Sequence, residues 1–586
     1  MKTLFIVLSL IANITWAPDS SRFAFTRGGD LFVCARTSAD TVQLTHDGSD
    51  LILNGYASWV YYEEIFGRAS RYRAFWWSPD SRKIAFYRFD QTKVPMFPIY
   101  SAVGQDGVLH ETRYPKVGEP NPRVRIGFID MDRPSDVVWA AFDDDPDQYF
   151  GTPFWSDDSR YLYVQREPRV QQKLELFRVN SADGTKTLTY SETSSTWLGW
   201  IEGMLFAEKG LYMARDFESG WEQIYFLSYD GKVLRRLTDG PNWRVRLGRY
   251  DKKTGDVYFV AQRDSRVQSY LYKLTRKGRI VRLSPEGYNV ERFWLSKSSG
   301  SVYAKLSNSR TRPFEWSDRA PGSIKEEESS AARALPRIVS IKAPDGQDMY
   351  GSIIYPLGFD PSRRYPVHFE IYGGPNTAYV TDRWREPEQW WSENGIIHIV
   401  ADCRASGHTG RAGRDLVFKD LCTVPVEDFA DWARWAADQP YVDAGRIGVE
   451  GFSFGGTMTA MLLMRHPDLF RCGIAGGGVY DWELYDSHYT ERFMLTPDLN
   501  RDGFENSKVL NYVDQLSADV RLKLTHGTGD DNVHFQNTLK LVEALQEAGK
   551  QFDLMIYPDG MHGYRGAQHE HSLAADREFW LKYLKN

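Results

Sequence analysis

Two hydrophobic periodicities divide the chain. From residue 15 to about residue 310, short stretches of alternating apolar and polar residues recur, each closed by a polar reversal. One phrase reads TWAPDSSRFAF from Thr15, WWSPDSRKIAF from Trp76 and FWSDDSRYLYV from Phe154, each an aromatic strand end, a polar turn and an alternating strand. A second phrase, strand then turn then strand, closes at Gly48, Gly240 and Gly287, the last two 47 residues apart. Alternation places one face of a strand in a core, and Asp-Gly and Ser-Asp pairs favour tight reversals. Repetition of such units every 40–50 residues or so predicts the blades of a β-propeller rather than a plain sandwich.

A polar, charged stretch at residues 308–335 ends this pattern. Beyond it, apolar runs at Val367–Tyr372, Ile396–Ala401, Ile447–Glu450, Cys472–Ala475, Leu522–Leu524 and Phe552–Tyr557 alternate with helical segments such as Val426–Ala437 and Gln536–Ala548. Strands that lack a polar face and alternate with helices predict a parallel sheet covered on both sides.

Composition adds bounds. A chain of 586 residues exceeds the roughly 250–300 that one core supports, so two large domains are expected. Acidic residues (78) nearly balance basic ones (72), so no basic excess points to nucleic acid or an anionic membrane surface. Cys34, Cys403, Cys422 and Cys472 fall in no metal-ligand spacing and make no disulfide framework. His569-Glu570-His571 lacks the spacing of a zinc helix, and the glycine-rich run Gly407–Gly413 lacks the Gly-Lys-Ser/Thr of a phosphate loop, so neither a metal nor a cofactor is expected. Lys2 followed by the apolar run Leu4 to Ala12 has the form of a signal-peptide core and is too short to span a bilayer. A periplasmic or secreted location is expected, with a cytoplasmic one as the alternative.

The candidate chemistry lies in the second half. Gly451-Phe452-Ser453-Phe454-Gly455 sits between the strand ending at Glu450 and a helix-like TMTAMLLMRH, the setting a nucleophile elbow requires. A serine hydroxyl needs a base, and in this arrangement an acid and a histidine follow in chain order. Asp530 follows the strand RLKLT and His562 follows the next one, both at carboxyl ends of strands. Asp531 is an alternative acid and His526 an alternative base, although His526 precedes the acid. Tyr372, at the end of VHFEIYGGP, and the Phe454 N–H are candidate oxyanion donors.

An alternating-strand half followed by this constellation resembles the prolyl oligopeptidase family, in particular its dipeptidyl peptidase IV branch. The carriers are Trp59-Val60-Tyr61-Tyr62-Glu63-Glu64-Ile65-Phe66, Tyr372-Gly373-Gly374-Pro375, GFSFGG around Ser453, the run Val479 to Arg492, and the run His526 to Phe535. The resemblance covers about residues 13–586, so that residues 1–12 are read as a signal-like apolar segment, 13–335 as the propeller and 336–586 as the α/β-hydrolase domain. It implies that Glu63 and Glu64 hold a substrate's free amino group, which demands a helical or looped segment because strand neighbours point to opposite faces. It also places Val479, Trp482, Tyr485, Tyr489, Phe454 and Val533 around a compact apolar pocket for proline. Trp482, Tyr485 and Tyr489 have the spacing of one helix face. Asn532 is similar to the family's asparagine on the preceding carbonyl, and Arg492 to a residue orienting the glutamates. The implied reaction releases X-Pro, and less readily X-Ala, dipeptides from peptides with a free N-terminus. The family's frequent homodimers are implied as well.

This chain departs from the pattern. Phe452 and Phe454 stand where Trp and Tyr are usual, and Cys403 replaces a small or polar residue. Glu63 comes almost at the start, so the propeller is expected to hold about seven blades at most and to lack an N-terminal part relative to eight. A tripeptidyl or acylaminoacyl peptidase and a catalytically silent scaffold are the competing expectations.

Overall fold

The computed structural model describes residues 12–37, 41–296, 300–319 and 333–586. Nearly all of the signal-like run lies outside these residues, and Ala12 opens the first strand, Ala12–Trp16. Among the described residues no helix is long and apolar enough to cross a membrane.

Among the described residues, six antiparallel sheets follow one another within the spans 12–43, 52–139, 148–193, 205–236, 243–282 and 289–317. The recurring phrases show why they repeat. In three of the turns a serine donates to the aspartate two residues on, Ser78 to Asp80, Ser156 to Asp158 and Ser228 to Asp230, all at 2.6 Å, whereas the phrase at Thr15 has Ala17 in that place. The same serine accepts from the backbone where the next strand starts, closing the hairpin. The aromatic residue of the phrase joins adjacent sheets: Trp77 donates its indole N–H to Thr15 O and Trp155 donates to Trp76 O, both at 3.1 Å. One sequence unit thus builds both a blade and its seam. A two-stranded hairpin, Met96–Ser101 with Val108–Arg113, stands apart from the sheets.

The second half forms one eight-stranded sheet: β1 (Arg337–Lys342), β2 (Asp348–Ile354), β3 (Tyr365–Ile371), β4 (Ile397–Ala401), β5 (Val442–Phe452), β6 (Cys472–Gly476), β7 (Arg521–Gly527) and β8 (Asp553–Tyr557). Its order is 1-2-4-3-5-6-7-8, with β1–β2 and β2–β4 antiparallel and the remainder parallel. This is a β-propeller joined to an α/β-hydrolase domain. Helices α1 (Thr423–Ala437), α2 (Phe454–Arg465), α3 (Ser487–Met494), α4 (Gln536–Glu547) and α5 (Ala567–Trp580) cover the sheet.

Candidate active site

Strand β5 runs straight into α2 through Ser453, whose φ of 61° and ψ of −123° lie outside the usual regions for a side chain. Glycines make this bend possible. A Cβ on Gly451 would come within 2.5 Å of Gly455 backbone, one on Gly455 within 2.5 Å of Ile371 O, and one on Gly456 within 2.3 Å of Gly476 O. The Ser453 N–H is tied to Gly476 O at 2.8 Å. Phe454 is the first residue of α2, so its N–H belongs to the helix terminus that has no carbonyl to bond within the helix.

Asp530 and His562 meet beside this bend. His562 Nδ1 lies 2.7 Å from Asp530 Oδ2. Asp530 Oδ1 accepts from the Asn532 and Val533 N–H groups, each at 3.0 Å, so the acid also folds its own loop. Burial pushes the Asp530 carboxyl up, but hydrogen bonds from His526 and His562 outweigh it and hold the group well below the ordinary carboxylate range. His526 is fully buried between Val533 O (2.8 Å) and Thr538 Oγ1 (2.7 Å), a place in which it shapes the loop. The Asp531 carboxylate accepts instead from Arg68 at 3.1 Å.

A cavity of about 490 Å³ opens in front of Ser453, lined among others by His562, Tyr372, Glu63, Glu64 and Tyr485. Burial raises the Tyr372 phenol while a contact with the Ser453 hydroxyl pulls the other way. Its ring stacks on Tyr379 at 4.9 Å between centroids. The apolar wall is Phe454, Val479, Trp482 and Tyr489, and Val533 is buried just behind. These aromatic residues do not share one helix face. Trp482–Leu484 is a short 3₁₀ turn, Tyr485 and Asp486 are extended, and only Tyr489 lies in α3. Asp481 accepts from Glu483 N–H and Asp486 from Tyr489 N–H, so two capping aspartates break what the spacing suggested was continuous.

Glu63 and Glu64 come from the propeller half, on a single helical turn, Tyr61–Ile65, that satisfies the requirement for a non-strand segment. Glu63 Oε1 accepts from Asn532 Nδ2 at 3.3 Å, and Tyr485 donates to Asn532 Oδ1 at 2.8 Å. Tyr114 of the propeller donates to Asn532 O at 3.0 Å. Burial raises the Glu64 carboxyl well above the ordinary range, and neighbouring Asp486 raises it further. Arg492 reaches Gln171 Oε1 at 2.6 Å and His488 Nε2 at 3.4 Å rather than either glutamate, although its charge acts on Glu64. Cys403 is buried with its sulfur 3.7 Å from Gly373 O, where burial pushes the thiol up to about 12.

With this geometry in hand, the sequence matches the profile of the dipeptidyl peptidase IV N-terminal region over residues 3–313 and that of the prolyl oligopeptidase family over residues 383–586. The chain belongs to the dipeptidyl peptidase IV branch of the prolyl oligopeptidase family. It is 32% identical over 617 residues to the probable dipeptidyl-aminopeptidase B of Talaromyces marneffei, covering 97% of this chain and 68% of that protein. It is 32% identical over 600 residues to the protein of the same description from Uncinocarpus reesii, covering 94% of this chain and 64% of that one. The chain therefore spans about two thirds of the length of these curated relatives. The crystal structure of Porphyromonas gingivalis dipeptidyl peptidase 4 superposes with a TM-score of 0.89 at 28% identity, covering 98% of this chain and 83% of that one.

Membership in the family still leaves residues that motif reading did not single out. Arg68 contacts both Glu63 and Asp531. Asp486 is fully buried beside Glu64, with its carboxyl raised to about 7, foremost by burial. Arg169 holds Glu491 of α3 through two contacts at 2.6 Å. Asp486 and Glu491 sit inside a phrase that was recognised, but single charges acquire such roles only from neighbours distant in sequence.

Proposed function

We propose that this chain is a serine-type dipeptidyl peptidase that releases X-Pro, and less readily X-Ala, dipeptides from the free N-terminus of peptides. The observation that carries this reading is the meeting of Glu63 and Glu64 with Ser453 and His562 around one cavity. Two carboxylates at one end of a site are the partners of a cationic amino group, and an α-amino group with pKa about 7.7–8 is mostly charged at neutral pH. Each charge-assisted hydrogen bond contributes about 1.5–3 kcal/mol, enough to favour free over blocked N-termini by roughly one to three decades.

The chemistry follows from the geometry. Ser453 Oγ attacks the carbonyl carbon of the second residue as His562 takes the hydroxyl proton, with Asp530 fixing the imidazole and stabilising its charge. The Tyr372 hydroxyl and the Phe454 N–H stabilise the oxyanion. His562 then passes the proton to the leaving amine, the C–N bond breaks and the dipeptide stays as an ester on Ser453. Water, deprotonated by His562, releases it. The apolar wall of Val479, Trp482, Tyr485 and Tyr489 suits a proline ring, and Asn532 bonds the preceding carbonyl. Read as an export signal, the N-terminal apolar run would place this reaction outside the cytoplasm.

The test is turnover of Ala-Pro-p-nitroanilide against its N-acetylated form and free Ala-Ala-Pro-p-nitroanilide. The expected order is the free dipeptide first, by at least about tenfold. Equal rates on free and acetylated dipeptides would overturn the amine anchor, and preference for the tripeptide would favour a tripeptidyl peptidase. Absence of fluorophosphonate labelling at Ser453 would revive the silent scaffold.

A further inference from the structure

Arg68 sits where the two domains meet, behind the cavity-lining Glu63, and takes no part in the proposed chemistry of Ser453, Asp530 and His562. Its Nε forms an ion pair with Glu63 Oε2, and its second guanidinium arm lies 3.1 Å from Asp531 Oδ1. Glu63 belongs to the propeller. Asp531 belongs to the loop whose neighbouring residues are Asp530, bonded to His562, and Asn532, bonded to Glu63. A single guanidinium therefore joins the glutamate turn to the loop that carries the acid.

Its own support is built in. The guanidinium lies 5.5 Å over the Tyr62 ring, Tyr62 stacks on Tyr72 at 3.7 Å, and Tyr72 stacks on Tyr56 at 4.9 Å. Arg71 and Tyr72 hold φ of 52° and 66°, left-handed values that side chains adopt only where the surroundings enforce them. Arginine is the suitable residue, because its planar fork reaches two carboxylates at once and stays charged at every working pH.

We propose that Arg68 is a positioning residue that holds Glu63 toward the substrate amine and locks the glutamate turn to the acid loop. This rests on the dipeptidyl peptidase reading. An alternative consequence of the same contact is that Arg68 competes with the substrate ammonium for Glu63, and the two give opposite signs. Around Glu63 the charged groups are Arg68, Asp531, Glu64 and His562, with Asp486 and Arg492 acting on Glu64 behind it. Burial raises the Glu63 carboxyl and Arg68 lowers it, so losing Arg68 shifts that carboxyl upward.

The experiment compares Arg68→Ala, Arg68→Lys, Asp531→Asn and Glu63→Gln in the full chain, with Ala-Pro-p-nitroanilide and its acetylated form across pH. Expected for Arg68→Ala is a KM on the free substrate raised about tenfold with a smaller change in kcat, and an acid limb of kcat/KM displaced to higher pH. Arg68→Lys should recover part of the loss. Asp531→Asn, which removes only one arm and keeps the shape, should raise KM less than Arg68→Ala does. An unchanged or lowered KM in a folded Arg68→Ala protein, verified by its melting curve, would overturn the proposal. If Glu63→Gln raises KM and Arg68→Ala does not, only the clamp fails. If wild type ignores acetylation and Glu63→Gln is silent, the amine anchor itself fails.

Discussion

Glu64, half-buried at the cavity, and Asp486, fully buried, are two acids in one place, and both are pushed toward the neutral form, first by desolvation and then by negative neighbours. Asp486, raised to about 7, loses its proton only as pH rises through neutrality. Amine binding needs a carboxylate and the glutamates are both raised, so kcat/KM on a free dipeptide substrate should climb at a higher pH than an ordinary carboxylate would give and fall as the substrate amine deprotonates near about 8. Asp486→Asn keeps an acceptor for the Tyr489 N–H and removes one negative charge, so the climb should begin at lower pH; an unmoved acid limb in the pH profile would count against the pair. For folding, the raised value means that the native state keeps a proton which the unfolded chain releases. The group's contribution to stability therefore declines from its ordinary 3.8 up to about 7, and Asp486→Asn should melt higher than wild type at pH 8. Ser453, Asp530 and His562 could be picked out from sequence because strand ends and glycines announce their settings. Asp486 and Arg68 could not, since neither carries a local signal.

At the scale of elements, the bend between β5 and α2 was legible as an apolar strand, a glycine-flanked serine and an apolar helix. Its tightness was not. Gly456→Ala would put a methyl against Gly476 O, a backbone atom that cannot swing aside. It should destabilise the protein by about 1–3 kcal/mol in urea unfolding and slow fluorophosphonate labelling of Ser453. The aromatic stripe from Trp482 to Tyr489 shows the opposite outcome: the spacing fits a helix, but Asp481 and Asp486 end and restart the backbone between its members. Helical periodicity is a statement about side-chain intervals, and a cap inside the interval overrides it. The blade phrases were readable because one serine-aspartate turn recurs with its indole seam.

At the scale of the molecule, α3 is held as much by the propeller as by its own domain. Glu491 is fully buried and paired with Arg169, Gln171 donates to His488 O at 2.7 Å, and Ser487 donates to Asn121 Oδ1 at 2.7 Å. Arg169→Met would leave the Glu491 charge buried without its partner, a change of about 3–5 kcal/mol. Calorimetry should then show the two domains melting separately where wild type melts in a single step; one unchanged transition would mean that the contact carries little. The sequence foretold two halves but not this clasp, because its partners lie more than 300 residues apart.

The cavity has walls from both halves of the chain, and the glutamates close it on the propeller side. A loop in the middle of a folded protein brings no free amine and has no slack to thread inward, whereas a loose chain end has both. On the proposed reading, enclosure would thus serve as a passive safeguard, sparing the enzyme's folded neighbours and the enzyme itself.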